Sequence, residues 1–377
     1  MGYLCSPVSD TAPRFHAVFV LPRFSGGGAE RVALTLAARL PPRGFAVTLV
    51  ALSAEGPLLG TVPAEVKVIA LGRTRLSRAI PRLVRAIRRL RPDAVVSTFG
   101  YVNLALLATR WSYRAPIVVR EANLPSASLH RVPWPAGFHR AMRLLYPAAA
   151  KVVCSSELMA REMRSDFGVA DPVVLPNPVD VARLRAEAAA PHRRPGPGRR
   201  LVAVGRLTHQ KGLDRLLEAL ARLDAEDTIE LIGTGEEEPA LRTLAHRLGL
   251  DARVTFHGFV GTPAAWIAGA DALVLPSRWE GMPNAALEAL AVGTPVVATP
   301  EAGAIAELAA AAPADAVTTA AAGRPLVEAL RAIAPAGAPP TPRPSILPPE
   351  HEADRVADRF AELLRDVARE HRRAGTA

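Results

Sequence analysis

The segment 277–288, SRWEGMPNAALE, holds two carboxylates, Glu280 and Glu288, with seven residues between them. The apolar run DALVLP before it predicts a buried strand, followed by a turn and a helix that opens near Asn284. Carboxylates beside such a turn can accept hydrogen bonds from hydroxyl groups, and the free amides of a helix N-terminus can bind phosphate. A sugar nucleotide offers both groups. The ordinary alternative is a pair of carboxylates on the solvated face of a helix start.

A second strand, loop and helix are predicted over residues 201–223, LVAVGRLTHQKGLDRLLEALARL. Arg206 closes the strand and Lys211 ends the loop five residues later. The chain has three lysines against forty-three arginines, so a lysine in this loop stands out from the basic background. Two cations of different geometry beside a helix N-terminus suit a diphosphate, although two solvated cations on a loop remain the alternative.

Five segments together resemble the retaining nucleotide-sugar glycosyltransferases of family 4, which have the two-domain GT-B fold. They are GGGAERVALTLA at 26–37, GRLTHQKGLDRLLEAL, LIGTGEEEPALRTLAHRLGL, VTFHGFV and DALVLPSRWEGMPNAALEALAVGTPVVAT. Their order and spacing are similar to the family over roughly residues 200–308. The resemblance implies two doubly wound, Rossmann-like parallel-sheet domains that face a cleft, with a C-terminal helix returning to the first domain.

The resemblance also implies roles for residues of the second domain. Arg206 and Lys211 neutralise the diphosphate as the glycosidic bond breaks, and Glu288 accepts hydrogen bonds from the ribose. Glu280 holds the hydroxyls of the donor sugar. The remaining donor-site residues predicted around the strand-to-helix turn are Gly281, Met282, Pro283 and Asn284; Asn284 lies one turn before Glu288 and can reach the diphosphate.

Glycines and one histidine extend the predicted nucleotide site. Gly27 and Gly28 follow the first strand and precede a helix, where the backbone can approach an anion without hindrance from a Cβ atom. The loop is not a GxGxxG motif, so a dinucleotide site is disfavoured, and an ordinary turn is the alternative. Nearer the second-domain motifs, the predicted nucleotide neighbours are Gly233, Gly235 and His257; for His257 a purely structural loop role is left open.

Many members of the family carry a histidine after a middle strand of the first domain, facing donor sugar and acceptor. This chain has VVREANLPS at 118–126 instead. Arg120, Glu121 and Asn123 occupy that neighbourhood, and Glu121 and Asn123 are predicted to contact substrate. Which group serves the acceptor side as a base is left open, and His130 and His139 lie too far along the chain to replace the missing histidine.

Length and charge limit the possible architectures and partners. A chain of 377 residues with 49% hydrophobic residues suits two globular domains. The predicted divisions are a first domain at 13–180, a linker at 181–200, a second domain at 201–340, and a Pro-rich tether with a crossover helix at 341–377. The formal net charge of +10 favours anionic partners such as nucleotide sugars and phospholipid surfaces, whereas 5% aromatic content and the lack of a recognition motif argue against nucleic acid.

Two features bear on the compartment and on membranes. Cys5 and Cys154 form no Cys-x-x-Cys pair, and no apolar run approaches the length of a membrane span, so a cytoplasmic protein is expected. The segment 73–91, RTRLSRAIPRLVRAIRRLR, holds eight arginines and no acid around an apolar stripe. It fits a helix on the inner, anionic face of a membrane or an ordinary sheet-covering helix. The segment 134–146, WPAGFHRAMRLLY, adds aromatic and basic residues.

No Asp-x-Asp motif occurs in the chain, so we expect a transferase without metal or other cofactor. The predicted reaction moves a hexosyl or N-acetylhexosaminyl group from a nucleotide sugar, a UDP-sugar rather than a GDP-sugar, to a glycan or lipid-linked acceptor. The expected setting is cell-surface polysaccharide or glycolipid biosynthesis, with retention following from the family. Two alternatives are a sugar-nucleotide epimerase of the same fold and a non-catalytic nucleotide-sugar-binding subunit.

Overall fold

The structure is a computed structural model that describes residues 15–73, 75–128, 134–192, 196–335 and 341–374. Cys5, His130 and the predicted domain limits at 13, 340 and 377 lie outside these residues. Within them the chain forms two parallel sheets covered by helices, which confirms the predicted fold class.

The first sheet is wound outward in two directions from its central strand, with the order β3-β2-β1-β4-β5-β6-β7. Short runs rich in Val, Ile, Leu and Ala form these strands, and most of their residues are buried because helices cover both faces of the sheet. The described elements are β1 (Phe15–Leu21), α1 (Gly28–Arg39), β2 (Phe45–Ala51), β3 (Val66–Ala70), α2 (Leu76–Leu90), β4 (Ala94–Ser97), α3 (Gly100–Ala108), β5 (Ile117–Arg120), α4 (Pro125–Ser128), α5 (Pro135–Leu145), β6 (Lys151–Cys154), α6 (Glu157–Ser165) and β7 (Val173–Val174).

The second sheet has the order β10-β9-β8-β11-β12-β13 and is also parallel. Its central strands β8 and β11 are neighbours, so the loops that follow them emerge side by side at the carboxyl edge. The elements are α7 (Val181–Glu187), β8 (Arg200–Val204), α8 (Leu213–Leu220), β9 (Thr228–Ile232), α9 (Glu238–Arg247), β10 (Val254–Gly258), α10 (Ala264–Gly269), β11 (Ala272–Leu275), α11 (Asn284–Ala291), β12 (Val296–Ala298), α12 (Ile305–Ala311), β13 (Val317–Thr319) and α13 (Arg324–Arg331).

The last helix, α14 (Ala353–Ala374), returns to the first domain, as predicted. Phe360 packs against Phe19 of β1 with ring centroids 6.1 Å apart, and the apolar stripe of α14 joins the core beneath α1. The two chain crossings between the domains also meet each other, since the Val179 amide donates to the His351 carbonyl oxygen at 2.8 Å. Both domains are therefore tied together at one end of the cleft.

The structure adds detail to three segments of the sequence analysis: residues 73–91, the predicted linker and the alanine-rich stretch after residue 309. The apolar side of α2 packs on the first sheet through Ala79, Leu83 and Ile87, so the packing supports the sheet-covering interpretation of residues 73–91 and leaves the arginines exposed. The predicted linker contains α7, which packs on the second domain. The alanine-rich stretch after residue 309 contains strand β13, which the sequence analysis missed because only three of its residues, VTT, have a strand-like composition.

None of the helices in the described ranges combines the length and the apolar character that crossing a bilayer requires.

Candidate active site

Lys211 and Glu280 form the centre of the site. Lys211 ends a short 3-10 turn between β8 and α8, and Glu280 lies in the loop between β11 and α11. Because β8 and β11 are adjacent, the two loops touch, and Lys211 Nζ lies 2.5 Å from Glu280 Oε1. Ser277 Oγ donates to the same oxygen at 2.9 Å, and Gln210 Nε2 lies 3.4 Å from Glu280 Oε2. Glu280 is thus a buried carboxylate, 5% exposed, held from two loops.

Arg206 supplies the second cation. Its side chain is exposed and lines one small cavity with Lys211 and Ser277. In the described part of the chain its guanidinium makes no hydrogen bond or ion pair, so it is free to bind an anion. The two cations, one engaged by Glu280 and one open, therefore share the predicted diphosphate position.

Gly233 and Gly235 support the loop that carries Arg206. Gly233 has a φ of +139°, and a Cβ atom there would collide with the Gly205 carbonyl oxygen. A Cβ atom on Gly235 would likewise meet the Leu207 backbone. The amide of Leu207 donates to the Thr234 carbonyl oxygen at 3.0 Å. The two glycines are needed for this close backbone approach, and a direct contact with nucleotide remains a prediction.

Sequence analysis missed a second bond between the same two loops. Arg278 makes a bidentate pair with Asp214, with nitrogen–oxygen distances of 2.8 and 2.6 Å. The hydrogen bonds from Arg278 are the main reason that the pKa of Asp214 lies below its usual value. The arginine follows Ser277 directly and the aspartate lies in the first turn of α8, but no spacing rule links residues so far apart in the chain.

The helix α11 and the turn before it place two predicted residues, Gly281 and Asn284, against the first domain. A Cβ atom on Gly281 would lie 2.5 Å from the Ala122 carbonyl oxygen and 2.9 Å from Asn123 Cα, so these two loops meet across the cleft. Asn284 opens α11 after Pro283, and a Cβ atom on Gly28 would collide with its amide nitrogen. Met282 is buried in the second-domain core, so its part in the site is to fix the turn.

Glu288 of α11 is half-buried. Burial raises the pKa of its carboxyl, and the positive charges of Arg31 and Arg183 act in the opposite direction. Within the described residues its carboxylate makes no hydrogen bond or ion pair. A carboxylate with unused acceptors suits the predicted contact with ribose hydroxyls.

The glycine loop of the first domain carries an acidic neighbour that the sequence analysis missed. Glu30, in the first turn of α1, accepts a hydrogen bond from Ser25 Oγ at 2.5 Å. A Cβ atom on Gly27 would also lie 2.5 Å from Glu30 Oε2. A phosphate at Gly27 would therefore have to tolerate a carboxylate, whereas Gly28 faces Asn284. Phosphate binding by this loop remains a prediction.

Arg120 and Glu121 lie at the end of β5 as buried charges. Arg120 donates from Nη2 to Asn177 Oδ1. Glu121 Oε1 accepts from Asn103 Nδ2 at 3.0 Å and from the Tyr146 hydroxyl. Burial raises the pKa of Glu121 to about 7, in spite of these hydrogen bonds. Glu121 thus titrates near neutrality at the place where the family's histidine is absent.

His257 is already engaged by its own domain. Its Nε2 is bonded to the Glu230 carboxylate on the neighbouring strand β9, and its ring meets Trp266 edge-on with centroids 5.7 Å apart. This geometry favours the structural role that the sequence left open.

Two family models match the chain. "Glycosyltransferase Family 4" matches residues 26–183, and "Glycosyl transferases group 1" matches residues 198–335. Together they span most of both domains. The chain belongs to the family 4, group 1 glycosyltransferases.

Two curated relatives each match part of this chain. The lipopolysaccharide core biosynthesis glycosyltransferase LpsE of Rhizobium meliloti is 38% identical over 121 residues, which are 32% of this chain and 33% of that protein. The N-acetylgalactosamine-N,N'-diacetylbacillosaminyl-diphospho-undecaprenol 4-alpha-N-acetylgalactosaminyltransferase of Campylobacter jejuni is 25% identical over 228 residues, covering 58% of this chain and 62% of that enzyme. The chain therefore spans a third of the first relative and less than two thirds of the second.

Solved structures match over almost the whole length. Sucrose-phosphate synthase from Thermosynechococcus elongatus gives a TM-score of 0.72 at 17% identity, covering 96% of this chain and 98% of that one. HepE of Anabaena in complex with UDP-glucose gives 0.68 at 18% identity, with 96% and 99% coverage. At these identities the likeness establishes the fold, which is GT-B.

Proposed function

We propose that this protein is a retaining glycosyltransferase that transfers a hexosyl or N-acetylhexosaminyl group from a UDP-sugar to a glycan or lipid-linked acceptor. The proposed setting is cell-surface polysaccharide or glycolipid biosynthesis. The observation that carries the proposal is the pairing of Lys211 with Glu280 beside the free cation of Arg206, at the carboxyl edge of the second domain. This arrangement combines a diphosphate site with an acceptor of sugar hydroxyl hydrogen bonds.

The donor would bind across the β8 and β11 loops. Lys211 has three N–H donors and uses one on Glu280, so two remain for phosphate oxygens. Arg206 can add a bidentate contact. Among the described residues, Oε2 of Glu280 has only the long Gln210 contact of 3.4 Å, and this oxygen suits a hydroxyl of the sugar. A UDP donor is supported by HepE, whose structures contain UDP and UDP-glucose.

Positive charge at the diphosphate stabilises the leaving group as the glycosidic bond breaks. With Arg206 and Lys211 in that role, the reaction proceeds without a metal. The leaving phosphate takes the proton from the attacking acceptor hydroxyl on the same face of the sugar, and the new bond forms on that face with retention. Glu280 and Glu288 bind hydroxyls and do not form a covalent intermediate.

The acceptor would lie against the loop after β5. The backbone of Asn123 lies beside Gly281, and Glu121 lies one residue beyond Arg120 at the same strand end. The names of two relatives, one acting in lipopolysaccharide core biosynthesis and one on an undecaprenol-linked glycan, support a lipid-linked acceptor.

A lipid-linked acceptor requires a surface that meets a membrane, and we place it on α5 and the turn that follows α3. Trp111 and Trp134 are each 81% exposed, and Leu144 is 76% exposed. The segment 134–146 carries two arginines and no acid, and the exposed arginines of α2 add further positive charge. Exposed tryptophans among cations suit an anionic bilayer on the cytoplasmic side.

Nucleotide binding and product analysis test the reaction. Thermal shift against UDP-, GDP- and ADP-sugars should give the largest stabilisation with a UDP-sugar, and activity should survive EDTA. Activity lost in EDTA and restored by Mg²⁺ or Mn²⁺ contradicts metal independence. Conversion of the donor without acceptor indicates an epimerase, and binding without transfer to any acceptor indicates a non-catalytic subunit.

Co-sedimentation with liposomes tests the surface. Binding should rise with the fraction of anionic lipid, fall with salt, and weaken in a Trp134→Ser, Leu144→Ser double variant. Arg324→Ser, at the exposed start of α13 and outside the proposed membrane surface, is the control variant and should bind liposomes as the wild type does. Sedimentation that ignores lipid charge and salt contradicts the proposal.

A further inference from the structure

A chain of three polar side chains crosses the cleft from the first domain to the donor site. Arg120 Nη2 donates to Asn177 Oδ1, and Asn177 Nδ2 donates to Asn284 Oδ1 at 2.6 Å. Arg120 ends β5, Asn177 lies where the chain leaves the first domain, and Asn284 opens α11. The amide nitrogen of Asn284 faces Gly28, as shown by the collision that a Cβ atom on that glycine would make with it.

At the Arg120 end of this series of hydrogen bonds, the chemistry of the groups fixes which one donates. A guanidinium carries hydrogen-bond donors and no acceptor, so the Asn177 atom that faces Arg120 must be the oxygen. The Asn177 nitrogen then faces Asn284 and requires an oxygen there. Asn284 is left with its –NH₂ group pointing to the cleft, next to the glycine loop.

The burial of Arg120 strengthens its requirement for the Asn177 oxygen. Arg120 is 1% exposed, and its Nε has no hydrogen-bond partner in the described part of the chain. Burial lowers the pKa of Arg120 to about 10, so the side chain stays protonated at neutral pH. A buried cation needs the Asn177 oxygen strongly, since losing it leaves a charge without compensation.

We propose that Arg120 and Asn177 are positioning residues that fix the orientation of the Asn284 amide, so that its nitrogen donates to the diphosphate of the donor. The inference rests on the proposed function, because it requires a nucleoside diphosphate between α11 and the glycine loop. It assigns a role to a buried arginine of the first domain that never touches the donor itself.

Asn177→Asp is the decisive variant. The carboxylate that this substitution introduces pairs with Arg120 through one oxygen and turns the other towards Asn284, which must then rotate its nitrogen inward and present its oxygen to the diphosphate. We expect the affinity for UDP, measured by calorimetry, to fall about 10- to 100-fold, the range for a lost hydrogen bond to a charged group. The affinity for uridine, which lacks the diphosphate, should change less than about twofold.

A matched background separates rotation of the amide from the added charge. In Asn284→Ala protein, where no amide can rotate, Asn177→Asp should leave UDP affinity unchanged. If Asn177→Asp weakens UDP binding equally in both backgrounds, the effect is through-space charge and the proposal is wrong. An unchanged ratio of UDP to uridine affinity in Asn177→Asp also overturns it.

Substitution of Arg120 supplies a second test in case Asn177→Asp does not fold. Arg120→Lys keeps a side chain that only donates and should preserve the ratio of UDP to uridine affinity, whereas Arg120→Met should lower it. Equal ratios in the two variants contradict the proposal. Wild-type protein that binds no UDP at all refutes the proposed function instead, so the two failures are distinguishable.

Discussion

The two cations of the donor site differ in how they are held, and this difference predicts different effects of removing them on the stability of the fold. Arg206 is exposed and free of protein partners within the described residues, whereas Lys211 is the cation paired with the buried Glu280. Arg206→Ala should therefore weaken nucleotide binding without affecting the fold. Lys211→Ala should weaken both.

The structure sets the expected magnitudes. Removing a charge-assisted contact to phosphate costs about 1.5–3 kcal/mol, or about 10- to 150-fold in UDP affinity, for either cation. The free energy of unfolding should change by less than about 0.5 kcal/mol in Arg206→Ala. In Lys211→Ala the Glu280 side chain, 7% exposed, loses its partner cation, while Lys211 is 19% exposed. We expect a loss of about 2–3 kcal/mol, below the range for a fully buried pair.

Calorimetric titration with UDP and urea denaturation measure the two quantities on the same protein. Lys211→Ala combined with Glu280→Gln is the control, because it removes the unpaired charge and keeps the Ser277 contact. That double variant should recover most of the stability while its UDP affinity stays low. The reasoning is refuted if Arg206→Ala binds UDP within about twofold of wild type, or if Lys211→Ala unfolds at the wild-type urea concentration.

Two further predictions concern the first domain and its contact with the second. Because burial raises the pKa of Glu121 to about 7, the folded state holds a proton that the unfolded state has lost, and the free energy of unfolding should fall by up to about 3 kcal/mol as pH rises from about 4.5 to 7. Denaturation at several pH values should show this slope weakened in Glu121→Gln; an identical slope contradicts it. Glu307 of α12 accepts from the amides of Glu157 and Leu158 across the cleft at 2.9 and 2.6 Å. Glu307→Ala should therefore increase the radius of gyration in X-ray scattering by favouring an open cleft, and the exposed Glu301→Ala should not; equal scattering from both would disprove a closing role.

Local patterns in the sequence predicted part of the architecture. Apolar runs predicted the buried strands before the Arg206 loop and the Glu280 turn, because strands buried on both faces need continuous apolar sequence, and the family resemblance implied the two parallel sheets. The shortest strand-like segment, β13, escaped because alanines on both sides of VTT have no strand preference. The stripe of α2 was equally compatible with a sheet or a membrane, since either surface buries the same apolar residues.

The site was predicted by residue type and loop position, but the contacts within it were not. The sequence indicated that Arg206, Lys211, Glu280 and Asn284 lie in the loops and at the helix start that follow two strands. It left the role of His257 open, because its partner Glu230 lies on the next strand and shares no local pattern with it.

The sequence by itself determined which side chains stand at the carboxyl ends of strands, since that depends on residues close together along the chain. Only the tertiary structure decided which of them meet. Placing β8 beside β11 brings Lys211 to Glu280 across 69 residues of chain, and closing the cleft brings Asn177 to Asn284 across 107. Such pairings depend on strand order and domain approach, which are settled by packing the whole molecule rather than by any local run of residues.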